Sequence, residues 1–264
     1  MSAVHLESVG VLGPGLPDWK TTCRVLDGEL PHRPEVRGDP DLPQLPPNER
    51  RRVPKLTRWA LAVAHEALAG AARAAGDVAM VFSSSSGDGE IVHKLCEAVT
   101  SPEREISPTM FHNSVHNAAP GYWSISTGSR QRSVALCGHD ASFAVGLLEA
   151  IGLVLSEQAS VMLVACDLPF PEPLAALRDI RAPFAVALLL SPASGERALA
   201  RWKVSLGAGP ASARFPHMLP AALATNPAAQ ALPLLAASRA SVAQSVSLVY
   251  AGDRHMTVET APCR

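Results

Sequence analysis

Charge is scarce in this sequence. Only 18% of its 264 residues are Asp, Glu, Lys or Arg, and 23 basic side chains nearly cancel 24 acidic ones, leaving a formal net charge of −1. A chain so close to neutral generates no long-range field, so neither nucleic acid nor an anionic membrane surface is suggested as its main partner, and an acidic partner would need a local patch. Aromatic residues are few, at 5%, and there is neither a C-x-x-C pair nor a dense cysteine framework. Cys23, Cys96, Cys137, Cys166 and Cys263 are scattered and odd in number, so reduced thiols are expected. No run approaches the roughly 18 apolar residues that span a bilayer, and Met1 is not followed by a basic segment and a hydrophobic stretch. The expectation is a cytoplasmic protein with no transmembrane segment. No cofactor is expected either: the small-residue turn Ser83–Gly89 (S-S-S-S-G-D-G) lacks the lysine and spacing of a P-loop.

What is present is a globular composition. Hydrophobic residues make up 47% of the chain, and 23 prolines suit many short connections. Val4–Gly15 alternates apolar residues and then breaks at glycines around a proline, which predicts a strand and a turn. Seven prolines between Leu30 and Pro54 predict an extended surface loop, with Arg50, Arg51 and Arg52 on a solvated face or against a phosphate-bearing partner. Leu56–Ala75 carries Leu56, Trp59, Val63 and Ala67 at helical spacing. A strand Asp77–Phe82, a helix Ile91–Val99, a buried central helix Ser142–Leu155 and strands Val161–Ala165 and Phe184–Leu190 follow, with a short helix in Leu174–Arg181. This alternation predicts an α/β layered domain with a mostly parallel sheet. Beyond Ser191 periodicity weakens; Val246–Tyr250 and Met256–Glu259 around Gly252-Asp253 predict a closing hairpin. Residues 1–192 are expected to form one domain, and residues 193–264 a shorter C-terminal extension packed on it.

The segment Ile106–Gly128, I-S-P-T-M-F-H-N-S-V-H-N-A-A-P-G-Y-W-S-I-S-T-G, followed by S-V-A-L-C-G-H-D-A-S-F-A-V-G, resembles the approach to the nucleophile in β-ketoacyl-acyl-carrier-protein synthases. Asn117, Gly121, Ser124, Ile125 and Gly128 match the order of an Asn-containing segment, a Gly followed by Ser-Ile, and a glycine turn. V-G-V-L-G-P-G resembles that family's first strand and turn. Within it, the chain is most similar to the short, chain-length-factor-like subunits of bacterial aryl polyene pathways. The resemblance implies a thiolase-like layered α/β/α fold, mainly the first half of a ketosynthase with a shortened C-terminal part.

It also implies chemistry that is missing. A ketosynthase attacks an acyl thioester with a cysteine at the N-terminus of a buried helix, where the helix dipole favours the thiolate. Val134 matches the apolar residue four before that cysteine and Gly146 the glycine eight after it, which puts Gly138 at the nucleophile position. Glycine has no side chain to acylate, so no catalytic residue is expected. Cys137, with His139 and Asp140, is the alternative nucleophile set, although neighbours on an extended chain face opposite ways. The second-half G-T-G-T and N-x-x-G-F-G-G signatures are absent. His112 and His116 would share a helix face if helical but lack a third ligand, so no metal is expected.

Such a silent subunit is expected to pair with a catalytic ketosynthase as a heterodimer and to help shape the acyl tunnel. Acyl carrier protein is expected to reach it directly or through that partner. Tunnel lining and partner contact fall on Met110, Phe111, Asn117, Tyr122, Trp123 and Phe143, since aromatic residues and Met are enriched at interfaces; ordinary core is the competing role. Two different roles stay open for the whole chain: an active acyltransferase using Cys137, and a scaffold that binds acyl carrier protein through Arg50–Arg52 or Arg130 and Arg132.

Overall fold

The computed structural model describes residues 3–35, 38–211 and 213–263. The first strand, β1 (Val4–Leu12), turns at Gly13-Pro14-Gly15 into α1 (Trp19–Leu26), whose cap Asp18 accepts a hydrogen bond from the Thr21 N–H. The stretch from Leu30 to Pro54 is not wholly an extended surface loop. Pro47–Arg52 form a short helix, α2, with proline at the start where its missing N–H costs nothing. Leu42 and Leu45 are buried and pin the loop to the core.

Helix α3 (Lys55–Ala71) leads to β2 (Ala79–Ser83) and to α4 (Gly89–Thr100), capped by the Asp88 carboxylate. Two helices the sequence did not announce follow, α5 (Pro108–Asn113) and α6 (Ala118–Thr127). Next come β3 (Ser133–Leu136), α7 (Ser142–Glu157), β4 (Val161–Asp167) and β5 (Phe184–Ser191). The tail adds β6 (Ala200–Ala208), the single turn α8 (Ala221–Ala224), α9 (Ala231–Ser238) and the expected hairpin, β7 (Gln244–Ala251) and β8 (Arg254–Pro262).

All eight strands form one sheet in the order β3-β2-β4-β5-β1-β6-β8-β7. The sheet is mixed, not mostly parallel: β2 runs parallel to β3 and β4, and the remaining neighbours are antiparallel. A parallel return needs a crossover about as long as the sheet is tall, usually a helix. Between β4 and β5 the segment Leu174–Leu177 makes only a 3₁₀ turn, and β5 comes back antiparallel.

Helices cover both faces. One core joins α7 and α9 to the sheet through Phe143, Leu147, Val154, Leu232 and Leu235; the other joins α3 and α6 through Trp59, Val63, Tyr122 and Trp123. The helix that begins at His139 and ends at Glu157 is long and apolar enough to cross a membrane by length and composition, which the apolar runs of the sequence did not suggest, but 56% of it is buried inside the protein. Two glycines set the layer spacing. A Cβ at Gly10 would stand 2.1 Å from the Val63 carbonyl oxygen of α3, and one at Gly146 would stand 2.8 Å from Leu163 Cδ1 and 2.9 Å from Ser83 Cβ. Gly146→Ala is therefore expected to lower stability by about 2 kcal/mol through overpacking, measured by urea denaturation. Unchanged stability would mean that α7 can lift at no cost.

Candidate functional site at the β3–α7 turn

Strands β2, β3 and β4 end on the same edge of the sheet, and the chain passes there from β3 into the buried helix α7. Ser83, Ser84 and Ser85 extend from β2 beneath this turn, all buried. The Ser83 hydroxyl donates to the Ser142 carbonyl at 2.6 Å, tying the start of α7 to β2.

Gly138 donates its N–H to the Ser142 hydroxyl at 2.9 Å, and a Cβ on it would lie 2.8 Å from Val145 Cγ2. His139, the next residue, has φ +52° and opens a 3₁₀ turn, His139–Ala141, that runs straight into α7. A left-handed non-glycine residue at a strand-to-helix turn is the strained geometry found where folds present a nucleophile. Histidine is among the few non-glycine residues enriched in this conformation, but the preference is too weak to mark the turn in the sequence.

Cys137 is exposed, and its thiol donates to the Ser85 carbonyl at 3.0 Å. His139 Nδ1 faces Asp140 at 3.3 Å instead, and Asp140 is gripped by Arg178 at 2.6 Å. Among the described residues no hydrogen bond joins Cys137 to His139, so the three do not form a relay.

The residue that sequence reasoning missed is Asp167, the last of β4 and 2% exposed. Its Oδ1 accepts from the Ser85 N–H at 2.7 Å and from the Ser84 hydroxyl at 3.0 Å. Burial pushes this carboxyl up to about 6, against the hydrogen bonds from Ser85 and Ser84 and the Arg178 charge, which lower it. The available signal was a single Asp ending the otherwise apolar run V-M-L-V-A-C-D.

The six residues expected at a tunnel or interface separate by depth. Tyr122, Trp123 and Phe143 are buried in the chain's own cores at 3%, 1% and 1% exposure. Phe111 is 63% exposed, Asn117 is exposed at the start of α6, and Met110 is half-buried. His112 closes α5 while His116 lies in the connection to α6, so they do not share one helix face. Among the described residues no group of three or more His, Cys, Asp or Glu gathers as a metal would require.

Space near the turn is small. The crevice between β2, β4 and α6, lined by Phe82, Ser84, His116, Ala119 and Cys166, has about 20 Å³, room for about one water. A larger cavity of about 390 Å³ lies at the end of β1, against Pro14, Val25 and Trp59, and shares no residue with the turn.

The model of the β-ketoacyl synthase N-terminal domain matches residues 24–250. The chain belongs to this family. Its fold is likewise that of ketosynthases. It superimposes with a TM-score of 0.72 at 23% identity on a chain of the ketosynthase ApeO in complex with its chain length factor ApeC from Xenorhabdus doucetiae, covering 99% of this chain and 100% of that one. The ishigamide ketosynthase/chain length factor gives a TM-score of 0.75 at 14% identity, covering 99% of each chain. The type II polyketide complex AntDE:AntF, an acyl-carrier protein with its ketosynthase, gives 0.74 at 10% identity, again with 99% of each chain covered. No curated protein matches the sequence. These matches establish the thiolase-like layered fold expected from the resemblance.

Proposed function

We propose that this protein is a chain-length-factor-type subunit, which carries out no condensation itself, pairs with a catalytic ketosynthase, and helps shape the tunnel that holds a growing acyl chain in polyene or fatty acid-type biosynthesis. The observation that carries it is the β3–α7 turn. The position matched to the family's reactive cysteine is Gly138, with nothing to acylate, and the neighbouring thiol is turned onto the Ser85 carbonyl. A crevice for about one water supports a tunnel completed by a second chain, because an acyl chain does not fit beneath the turn alone.

The surface supports the same conclusion. Val92, Val99, Phe111, Val115 and Ile125 are exposed on or between α4, α5 and α6, and α4 buries only Gly89 among its residues. Beside them β3 ends the sheet, a four-residue edge with free backbone groups on one side that a partner strand could take. Full coverage of chains in three complexes with ketosynthase or carrier partners is consistent with a subunit of this kind. Acyl carrier protein would approach directly or through the partner; Arg51 and Arg52 on α2 are exposed for direct contact.

Co-expression with a candidate ketosynthase followed by size-exclusion chromatography tests the pairing. A heterodimer whose product length changes when this subunit is exchanged is the expected result; a monomer, or homodimers without effect on product length, rules it out. Phe111→Asp is expected to weaken the heterodimer at least about tenfold while the isolated chain keeps its fold, because an exposed aromatic contributes to association and not to the core. Titration by isothermal calorimetry measures the change.

The exposed Cys137 favours a second reading, an acyltransferase acting through this thiol. Acylation of the isolated protein decides between the two.

A further inference from the structure

The cavity of about 390 Å³ at the end of β1 is walled by Leu12, Pro14, Val25, Leu30, Trp59 and Pro183. Strand β1 runs antiparallel to β5, and β5 antiparallel to β4, so β1 and β4 point the same way. The cavity therefore lies outside the carboxyl end of a strand, the edge at which α/β sheets place their ligands. It is far larger than the crevice of about 20 Å³ under the β3–α7 turn, and its volume is one that takes a small organic molecule.

Specific bonds hold its outer wall in place. After β1 the chain turns at Gly15, where φ is +70° and a Cβ would stand 2.2 Å from the Arg33 carbonyl oxygen, so glycine alone lets the wall come this close. Gly15 donates its N–H to the Glu35 carbonyl at 3.1 Å, and His32 Nε2 donates to the Pro14 carbonyl at 2.8 Å. On the other side Asp39 accepts from the Trp59 indole N–H at 3.1 Å and pairs with Lys55 at 3.7 Å. With its one donor satisfied, the Trp59 ring serves the cavity as an aromatic wall.

The lining selects what fits. Leucine, valine, proline and an indole face call for an apolar body with a ring in it. Thr21 on α1 adds a polar group: its N–H is taken by Asp18, while its hydroxyl makes no hydrogen bond among the described residues and can both donate and accept. Arg33 and Glu35 also belong to the lining and are exposed to solvent, one charge of each sign, so together they select neither an anion nor a cation.

We propose that this cavity binds an uncharged aromatic alcohol or phenol, its ring against Trp59 and its hydroxyl on the Thr21 hydroxyl. The site is separate from the β3–α7 turn and stands whether or not the chain pairs with a ketosynthase, so its test uses the purified protein alone.

The probe is 2-naphthol, followed by isothermal calorimetry and residue-resolved NMR. Saturable one-to-one binding is expected with a Kd of about 100 μM or below, with resonance shifts centred on Thr21, Val25 and the Trp59 indole N–H. Charged 2-naphthoate is expected to bind at least about tenfold more weakly, because its desolvated carboxylate finds no dedicated partner. Thr21→Val keeps the side-chain shape and removes the hydroxyl; it is expected to weaken 2-naphthol about fivefold and to leave naphthalene unchanged. Leu30→Trp, at a half-buried position of the wall, fills the space and is expected to abolish binding of both. If that variant does not fold, the Thr21→Val comparison decides alone. No saturable binding of 2-naphthol, shifts centred elsewhere, 2-naphthoate binding as tightly, undiminished binding in folded Leu30→Trp, or 2-naphthol binding unchanged in Thr21→Val would each overturn the proposal.

Discussion

Incubated alone with an acyl-loaded carrier protein, the purified chain is expected to show an unchanged intact mass, whereas a co-purified ketosynthase partner gains the acyl group. A thioester needs a thiolate aimed at the carbonyl carbon and a donor pair for the oxygen that becomes negative. Cys137 fails the first requirement. Its S–H points at the Ser85 carbonyl oxygen, an acceptor that would repel a thiolate, and His139, the nearest base in sequence, is engaged with Asp140. Three of the remaining thiols are held protonated by burial. Burial pushes Cys166 well up, Cys23 up to about 11, and Cys263 upward as well. Cys96 is exposed on α4, outside the turn, so Cys96→Ala serves as the control for non-specific modification. An acyl adduct that disappears in Cys137→Ala would establish the acyltransferase reading and end the chain-length-factor one.

The second large effect is expected in the pH dependence of stability. Asp167 titrates at about 6 in the folded protein against an ordinary value of 3.8, because desolvation penalises its charge more than Ser85, Ser84 and Arg178 favour it. The folded state therefore binds this proton more tightly than the unfolded state. Stability from this group is fully present below about pH 4 and is lost as pH rises through about 6, by up to about 3 kcal/mol. Asp167→Asn removes the titration while keeping an acceptor for the Ser85 N–H. Urea denaturation at pH 4.5 and pH 7 should show the variant gaining on the native protein by about 2 kcal/mol as pH rises, since part of the effect is already lost at pH 4.5. Parallel curves for the two proteins would show that the buried carboxylate is solvated better than its surroundings imply.

Local pattern carried much of the architecture. The apolar run Val161–Ala165 and the segment Val4–Leu12 are both read correctly as strands, and both are buried on the two faces of the sheet along nearly their whole length, so the alternation seen in Val4–Leu12 does not mark a solvent face. Helices α3 and α7 announce themselves by spacing and by an apolar surface all round. Strand β6 escaped notice although Arg201, Lys203 and Ser205 alternate with Trp202, Val204 and Leu206, because the surrounding Ala- and Pro-rich composition hides the period. Helix α9 was obscured by Pro233, which is tolerated in its first turn, where a backbone N–H would have no intrahelical acceptor to lose.

At the site, residue identity was legible and depth was not. Met110, Phe111, Tyr122, Trp123 and Phe143 look alike as large apolar side chains, yet Phe111 faces solvent and Trp123 stacks in the core beside His65 with ring centroids 5.0 Å apart. Asp140 and Arg178 are 38 residues apart, and nothing in either one's neighbours in sequence marks them as ion-pair partners 2.6 Å from each other.

The sequence alone determined the family, strands β1, β2, β4 and β5, and helices α3, α4 and α7. Those are local properties, set by side-chain chemistry and by periods of two and 3.6 residues. Tertiary structure decided the antiparallel return of β5, the left-handed turn at His139, and the burial that raises Asp167. Each depends on which distant segments share a water-free space, and that is settled only when the chain has closed on itself.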